Sequence, residues 1–185
     1  MLETKEEAIK NKIEEITGFR PQDKGNLILE TGKHLRPFSI KKVLLLSSSY
    51  DYFLLEEEGR IDKLFHRIYP KELPIQPPEI TQVESLKEVH NYLENDQFDL
   101  FIIFNETKED NLLNITKSIK EIHQNLPIVF LANHTAQLRT LIEKDNYETI
   151  DRAFTWNGDG SILLTIIQLF EDQTNIQSDP SGENK

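Results

Sequence analysis

The residues that could do chemistry in this sequence stand where its apolar runs end. Four such runs, 43–46, 98–104, 128–131 and 153–155, lead into neutral side chains. These end residues are Ser47, Ser48, Ser49, Asn105, Ala132, Asn133 and Trp156. Neutral hydroxyls and amides form hydrogen bonds, but they hold divalent cations poorly because hard cations need anionic oxygen ligands. Phosphoryl transfer to a carboxylate depends on such a cation, so the pattern predicts binding and signalling rather than catalysis.

The three adjacent serines admit two further interpretations. They could supply the nucleophile of a small hydrolase, or they could bind a small anion at the N-terminus of a following helix. No GxSxG motif and no evident histidine base accompanies them. We therefore expect Ser48 or Ser49 to cap that helix, and the hydrolase remains a third candidate function.

A second group of polar residues follows at Asp51 and Glu56–Glu58. These carboxylates could form a metal-binding cluster, but charge runs usually form the solvated face of a helix, which is our expectation here. The histidines lack metal-ligand spacing, and the chain contains no cysteine. The sequence therefore predicts no metal site and no cofactor.

The charge balance argues against several classes of partner. The formal net charge is -11, so the phosphates of nucleic acids and anionic membrane surfaces would repel the chain. No run approaches the roughly 20 apolar residues that a membrane span requires. The first residues are acidic and do not resemble a signal peptide. We expect a cytoplasmic protein that binds neither nucleic acid nor membranes.

From residue 40 onward, strand-like apolar runs alternate with segments of helical periodicity. The predicted strands are 40–46, 79–83, 98–104, 127–131 and 150–155, and the predicted helices are 50–69, 85–93, 109–124, 135–144 and 161–170. In the first of these helices we expect Phe53 and Leu54 to face inward, and Ser85 with Glu88 predicts a capping box for the second. Strict alternation predicts parallel strands with helical crossovers, hence a three-layer α/β sandwich whose ligands meet the carboxyl ends of the strands.

The two ends of the chain differ from this central part. In residues 2–18, apolar side chains form one narrow helical stripe: Leu2, Ile9, Ile13 and Ile16. This helix either packs on the domain or serves as a short docking or dimerising helix. Residues 19–39 are predicted to form a linker, and the polar residues 173–185 a disordered tail. The expected division is thus 1–39, 40–172 and 173–185.

Residues 40–172 resemble the receiver domain of bacterial response regulators. The segments 98–104, 126–131 and 150–154 are similar to the third, fourth and fifth strands of that family. The resemblance implies a flavodoxin-like (βα)5 fold, with a doubly wound parallel sheet in the strand order 2-1-3-4-5 and an N-terminal helical extension. It also implies which positions would carry the family's chemistry.

All four functional residue types of the receiver family are replaced. Ser47 and Ser48 match the acidic pair, and Phe104 or Asn105 matches the phosphorylated aspartate. Ala132 matches the serine or threonine, and Trp156 matches the lysine. The resemblance therefore implies a non-catalytic pseudo-receiver that is not phosphorylated on aspartate.

Such a domain would act through contacts with a protein partner, namely a histidine kinase or an effector, and a homodimer is a further option. By analogy with receivers, the contact region would be Leu138, Leu141, Phe154, Trp156 and Ile167. Trp156 could instead fill the space that the missing charged groups leave, and a small ligand could occupy that pocket. These alternatives stay open.

A narrower resemblance concerns residues 48–60, the proline-rich loop that follows and residues 80–83. They are similar to a degenerate receiver at the N-terminus of some bacterial proteins related to phosphoenolpyruvate synthase and pyruvate phosphate dikinase. The alternative function is therefore a regulatory front-end segment of such a system, with the dikinase-like enzyme as partner.

Overall fold

A computed structural model describes residues 4–17, 39–59, 63, 76–104, 109–144, 147–156, 158 and 161–177. Most of the predicted linker, the second half of the predicted helix 50–69 and Asn105 lie outside the described residues. The last helix continues to Gln177, so residues 173–177 are helical and the predicted tail cannot begin at residue 173. No helix in the described ranges has the length and apolar character to span a bilayer.

The described residues form five strands and six helices in alternating order after the first helix. The strands are β1 (Lys42–Leu46), β2 (Glu79–Val83), β3 (Leu100–Phe104), β4 (Ile128–Ala132) and β5 (Arg152–Thr155). The helices are α1 (Lys5–Thr17), α2 (Ser49–Gly59), α3 (Leu86–Asn95), α4 (Glu109–Ile122), α5 (Thr135–Glu143) and α6 (Ile162–Gln177).

The strands form one parallel sheet in the order β2-β1-β3-β4-β5. Leu46 pairs with both Val83 and Ile103, and Phe104 pairs with Leu131. The register brings the carboxyl ends of all five strands to one edge of the sheet. Strand order, parallel pairing and flanking helices confirm the predicted flavodoxin-like α/β fold.

Helices cover both faces of the sheet, which explains why β3 and β4 are apolar at every position and fully buried. One face carries the apolar side chains of α3, α4 and α5, together with Ile16 of α1. The other face carries Leu55 of α2 and four residues of α6. The sheet is therefore the middle layer of a three-layer sandwich, with one hydrophobic core on each of its faces.

Carboxylates fix the amino-terminal edge of the sheet. Asp99 accepts hydrogen bonds from the backbone N–H groups of Lys41 and Lys42, at 2.8 and 2.9 Å. Asp151 accepts one from the N–H of Ile128 at 2.7 Å. Asp99 directly precedes β3 and bonds the start of β1. Asp151 directly precedes β5 and bonds the start of β4. These bonds satisfy backbone donors that the ladder leaves over and help to set the register.

Helix α1 packs on the domain, which was one of the two roles predicted for it. Ile9 and Ile16 are buried, and the helix contacts α5 and β5. Its other predicted stripe residues are Ile13, which is half-buried, and Leu2, which lies outside the described residues. The second role, as a docking or dimerising helix, stays a prediction.

Candidate functional site

The carboxyl edge of the sheet continues for one residue beyond β1 and β5. The N–H of Ser47 donates to the carbonyl of Val83 at 3.0 Å, and the N–H of Trp156 donates to the carbonyl of Ala132 at 2.8 Å. Both residues are therefore held by strand-like hydrogen bonds rather than by a free loop.

An aromatic pair occupies this edge. Phe104 is the last residue of β3 and is 2% exposed. Its ring lies 5.3 Å from the ring of Trp156, centroid to centroid, at an interplanar angle of 83°. This edge-to-face geometry is a favourable aromatic contact. Both rings pack against the core that α2 and α6 form with the sheet.

The aromatic pair stands at two of the positions that the receiver resemblance singled out. By that resemblance, Phe104 or Asn105 would match the phosphorylated aspartate, and Trp156 would match the lysine that contacts the phosphoryl group. In place of a carboxylate and an ammonium group, the edge holds two rings in direct contact. The side chain of Ala132, at the serine or threonine position, is fully buried and carries no hydroxyl. Asn105, the other candidate for the aspartate position, lies outside the described residues.

Of the two predicted roles of Trp156, packing is the one with observed contacts. The side chain is half-buried, belongs to the α2–α6 core and contacts Phe104. Its indole Nε1 is buried without a hydrogen-bond partner among the described residues. The indole N–H is therefore inaccessible to a partner protein in this conformation. The exposed part of the ring is accessible.

The serines that follow β1 cap the next helix. The hydroxyl of Ser48 accepts a hydrogen bond from the N–H of Asp51 at 3.1 Å and donates to its carboxylate at 2.5 Å. The N–H of Ser49 donates to the carboxylate of Glu84 at 2.9 Å, and its hydroxyl bonds the same oxygen. Capping of α2 by Ser48 confirms the prediction. The negative charge of these carboxylates also interacts favourably with the positive N-terminal end of the helix dipole.

The prediction of a solvated face was wrong for Asp51. This residue is 6% exposed and its carboxylate is tied to Ser48. The carboxyl edge therefore carries more negative charge, from Asp51 and Glu84, than the strand-end residues alone indicate. One oxygen of each carboxylate is bound by a serine: Asp51 by the hydroxyl of Ser48, and Glu84 by the N–H and hydroxyl of Ser49. No cluster of three or more histidine, cysteine, aspartate or glutamate residues suited to a metal ion occurs in the described part of the chain.

Ser47 differs from its two neighbours. It is 4% exposed, and its hydroxyl is buried without a hydrogen-bond partner in the described ranges. Its carbonyl accepts from the side-chain amide of Gln82 at 2.9 Å. A nucleophilic serine needs a base within hydrogen-bond reach, and the described residues provide none for Ser47.

Burial changes the predicted partner-binding set. Leu138, Leu141, Phe154 and Ile167 are each at most 3% exposed and belong to the two cores. Their side chains hold α5, β5 and α6 against the sheet, so they cannot form the predicted direct contact with a partner in this conformation. Docking on the outer surface of the same elements stays a prediction. Leu138 and Leu141 are three residues apart, so helical periodicity places them on one side of α5, which is the side that packs on the sheet.

Comparisons with known proteins show the fold alone. No protein-family model matches the sequence, and no curated protein is significantly similar to it. A solved structure described as adenylate cyclase from Rhodopirellula baltica is 16% identical over 76% of this chain and 93% of that chain, with a TM-score of 0.54.

A second solved structure is the phosphorylated cyanobacterial phytochrome response regulator RcpA, which is 19% identical over 72% of this chain and 93% of that chain. Its TM-score is 0.47, and no argument rests on it. The five-stranded parallel sheet in the order 2-1-3-4-5, with helices on both faces, gives this chain the flavodoxin-like fold of receiver domains.

Proposed function

We propose that this chain is a non-catalytic regulatory module of receiver type, which works without aspartate phosphorylation and acts through contacts with another protein. The observation that carries the proposal is the edge-to-face contact between Phe104 and Trp156. By the receiver resemblance, these two apolar rings stand at the positions of the acceptor carboxylate and its cationic partner, with Asn105 as the other candidate for the first. Phe104 and Trp156 therefore interact through aromatic packing rather than through an ion pair.

Phosphoryl transfer makes demands that this edge does not meet. The acceptor must be a nucleophilic oxygen, and a divalent cation with a positive side chain must offset the charge on the transferred group. Phe104 has no oxygen, and Trp156 has no positive charge. Asp51 and Glu84 already accept hydrogen bonds from Ser48 and Ser49. By the resemblance, the acceptor oxygen and the positive side chain are therefore both replaced.

In a domain without this chemistry, phosphorylation does not change how the side chains at the carboxyl edge pack. Conformational switching by a ligand requires that the ligand interact differently with two states. If no phosphoryl group supplies that difference, a bound protein can supply it, and a small ligand in the strand-end pocket remains the alternative. A histidine kinase or an effector is the class of partner that the receiver resemblance implies.

A direct test is treatment of the purified chain with acetyl phosphate and Mg²⁺, followed by intact-mass spectrometry. We expect an unchanged mass, because β3 ends in Phe104, whose side chain has no oxygen to accept a phosphoryl group. An active receiver treated in parallel controls for the reagent. A stoichiometric gain of one phosphoryl group would refute the proposal, and the Asp51→Asn variant would then show whether Asp51 is the acceptor.

The association with a pyruvate phosphate dikinase type of system remains a prediction from the sequence resemblance. The contacts at the carboxyl edge are compatible with either kind of partner. The partner's identity can be tested by capture with the purified chain, since a dikinase-like enzyme and a histidine kinase would be distinguished by mass.

A further inference from the structure

The amino-terminal edge of the sheet carries a groove, at the end of the strands opposite to the candidate site. Residues that precede β1, β3 and β4 line it, together with the C-terminal end of α4 and Phe170 of α6. Its volume is about 770 Å³, within the range of roughly 300–1,000 Å³ that ligand sites occupy. The groove therefore has the size of a binding site and lies away from Phe104 and Trp156.

The floor of the groove is apolar. Ile40, Leu126 and Phe170 are each at most 7% exposed, and Phe98 is half-buried. Ile122, at the end of α4, also lines the groove and is 69% exposed. A ligand that covers this side chain removes apolar surface from water, which favours binding.

The rim of the groove is negatively charged. Asp99 is fixed there by the backbone N–H groups of Lys41 and Lys42, which both donate to its Oδ2. Glu121 is exposed on the last turn of α4, where the helix dipole has its negative end. No lysine or arginine occurs among the described residues that line the groove. A cationic group is therefore the charge that this rim favours.

The nearest basic residue in sequence is already paired. The ammonium of Lys120 donates to the carbonyl of Leu126 at 2.9 Å and to the carboxylate of Asp151 at 2.8 Å. Because Asp151 balances its charge, Lys120 does not neutralise Glu121 and Asp99.

The length of the groove suits a short extended peptide. The strands β1, β3 and β4 are neighbours in the sheet, so at about 4.8 Å per strand their starts span about 10 Å. An extended chain advances about 3.3 Å per residue, and its side chains point alternately to opposite sides. Three or four residues therefore cross the groove, with apolar and cationic side chains in alternation.

We propose that this groove binds a segment of a partner protein in which apolar side chains alternate with arginine or lysine. The apolar side chains lie on the floor beside Ile122, and the cationic groups lie against Asp99 and Glu121. The net charge of -11 on the chain also attracts a basic segment before contact. The inference deepens the proposed function, on which it rests for the idea that protein contact carries the signal.

The test uses the full-length chain and the probe peptide acetyl-Phe-Arg-Leu-Arg-amide. Nuclear magnetic resonance follows the amides of residues 121–126 while the peptide is added to the wild type and to Glu121→Lys/Ile122→Ser. We expect saturable shifts in the wild type, and the variant should need about 10-fold more peptide because it reverses a rim charge and removes an apolar contact. The peptide acetyl-Phe-Glu-Leu-Glu-amide should give no shifts at the same concentrations.

The variant Phe53→Ser/Glu56→Lys is the matched control. It makes the same two kinds of change at exposed positions of α2, which packs on the other face of the sheet from α4. It should bind the probe as the wild type does. Equal binding by the wild type and Glu121→Lys/Ile122→Ser, or no saturable shifts at millimolar peptide, would overturn the proposal.

Two other occupants of the groove are separate outcomes, and each would also overturn the proposal. Residues 33–38, which lie outside the described residues, read Lys-His-Leu-Arg-Pro-Phe and precede Ser39 at the groove. If Lys33→Glu/Arg36→Glu binds the probe about 10-fold more tightly than the wild type, the occupant is this segment of the chain. If sedimentation shows a dimer that Glu121→Lys/Ile122→Ser dissociates, the occupant is a second copy.

Failure of this inference can be told apart from failure of the proposed function. Phosphorylation of the chain would refute the proposed function, while binding of the probe at the other end of the strands would be unaffected. Absence of probe binding with an unchanged mass after acetyl phosphate treatment would refute the groove alone.

Discussion

At the scale of single residues, the sequence identified which groups are missing but not how the remaining ones bond. The replacement of an acidic pair, an aspartate and a lysine is visible in residue types alone. The burial of Asp51 is not, because serines precede it and contiguous aromatic and apolar residues follow it, which indicates no inner face. Its partner Ser48 is local, but its burial depends on where α2 lies on the sheet.

Ser47 and Ser48 are adjacent serines that should contribute very differently to stability. Ser47→Ala removes a buried hydroxyl without a partner in the described residues, so we expect the free energy of unfolding to change by less than about 0.5 kcal/mol. Ser48→Ala removes the cap of α2 and a partner of a buried carboxylate, and it should cost about 1–2 kcal/mol. Urea denaturation measures both, and equal losses would contradict the assignment.

The contact between Phe104 and Trp156 should be measurable as a coupling energy. In a double-mutant cycle with Phe104→Leu and Trp156→Leu, we expect about 0.5–1.5 kcal/mol of interaction, the range for edge-to-face aromatic pairs. A control cycle that pairs Phe104→Leu with Phe98→Leu, near the opposite edge of the sheet, should be additive within roughly 0.5 kcal/mol. Additive effects in the first cycle would show that the contact between Phe104 and Trp156 does not stabilise the fold.

At the scale of elements, strand order and helix starts were predictable, whereas the inward side of α2 was not. The capping box of Ser85 and Glu88 is present as predicted, because its signal is local in sequence. In α2 the prediction of Phe53 facing inward was wrong: Phe53 is 56% exposed, and Leu55 is fully buried. The apolar residues 52–55 are contiguous, so periodicity could not choose a side, and packing against the sheet decided it.

The capping box of α3 should make stability depend on pH. The backbone N–H of Glu84 and then the hydroxyl of Ser85 donate to the Glu88 carboxylate and lower its pKa. A lowered folded-state pKa contributes stability that is present above the unfolded value, about 4.3, and is lost as pH falls through the folded pKa.

We therefore expect Glu88→Gln to be less stable than wild type at neutral pH and to lose less stability between neutral pH and pH 3. Denaturation midpoints across this range measure the effect. The exposed Glu94→Gln, in the last turn of the same helix, is the control and should follow the wild-type slope. A wild-type slope in Glu88→Gln would show that the box does not couple to folding.

At the scale of the whole molecule, alternation of strands and helices was enough to predict the sandwich, but not the position of α1. The contacts of α1 are with Arg139, Tyr147 and the core beneath α5, far along the chain. A short helix with few apolar residues carries no local signal for so distant a contact. The resemblance supplied a contact surface, and the fold shows that the chain itself covers part of it.

We propose that the carboxyl edge of the sheet cannot bind a divalent cation together with a phosphoryl group. Trp156 is the only tryptophan of the chain, and its ring contacts Phe104 at this edge, so its fluorescence reports on the site. We predict that adding Mg²⁺ and beryllofluoride, a phosphoryl mimic, at millimolar concentrations leaves the emission of Trp156 unchanged. A saturable change that requires both Mg²⁺ and beryllofluoride would contradict the account.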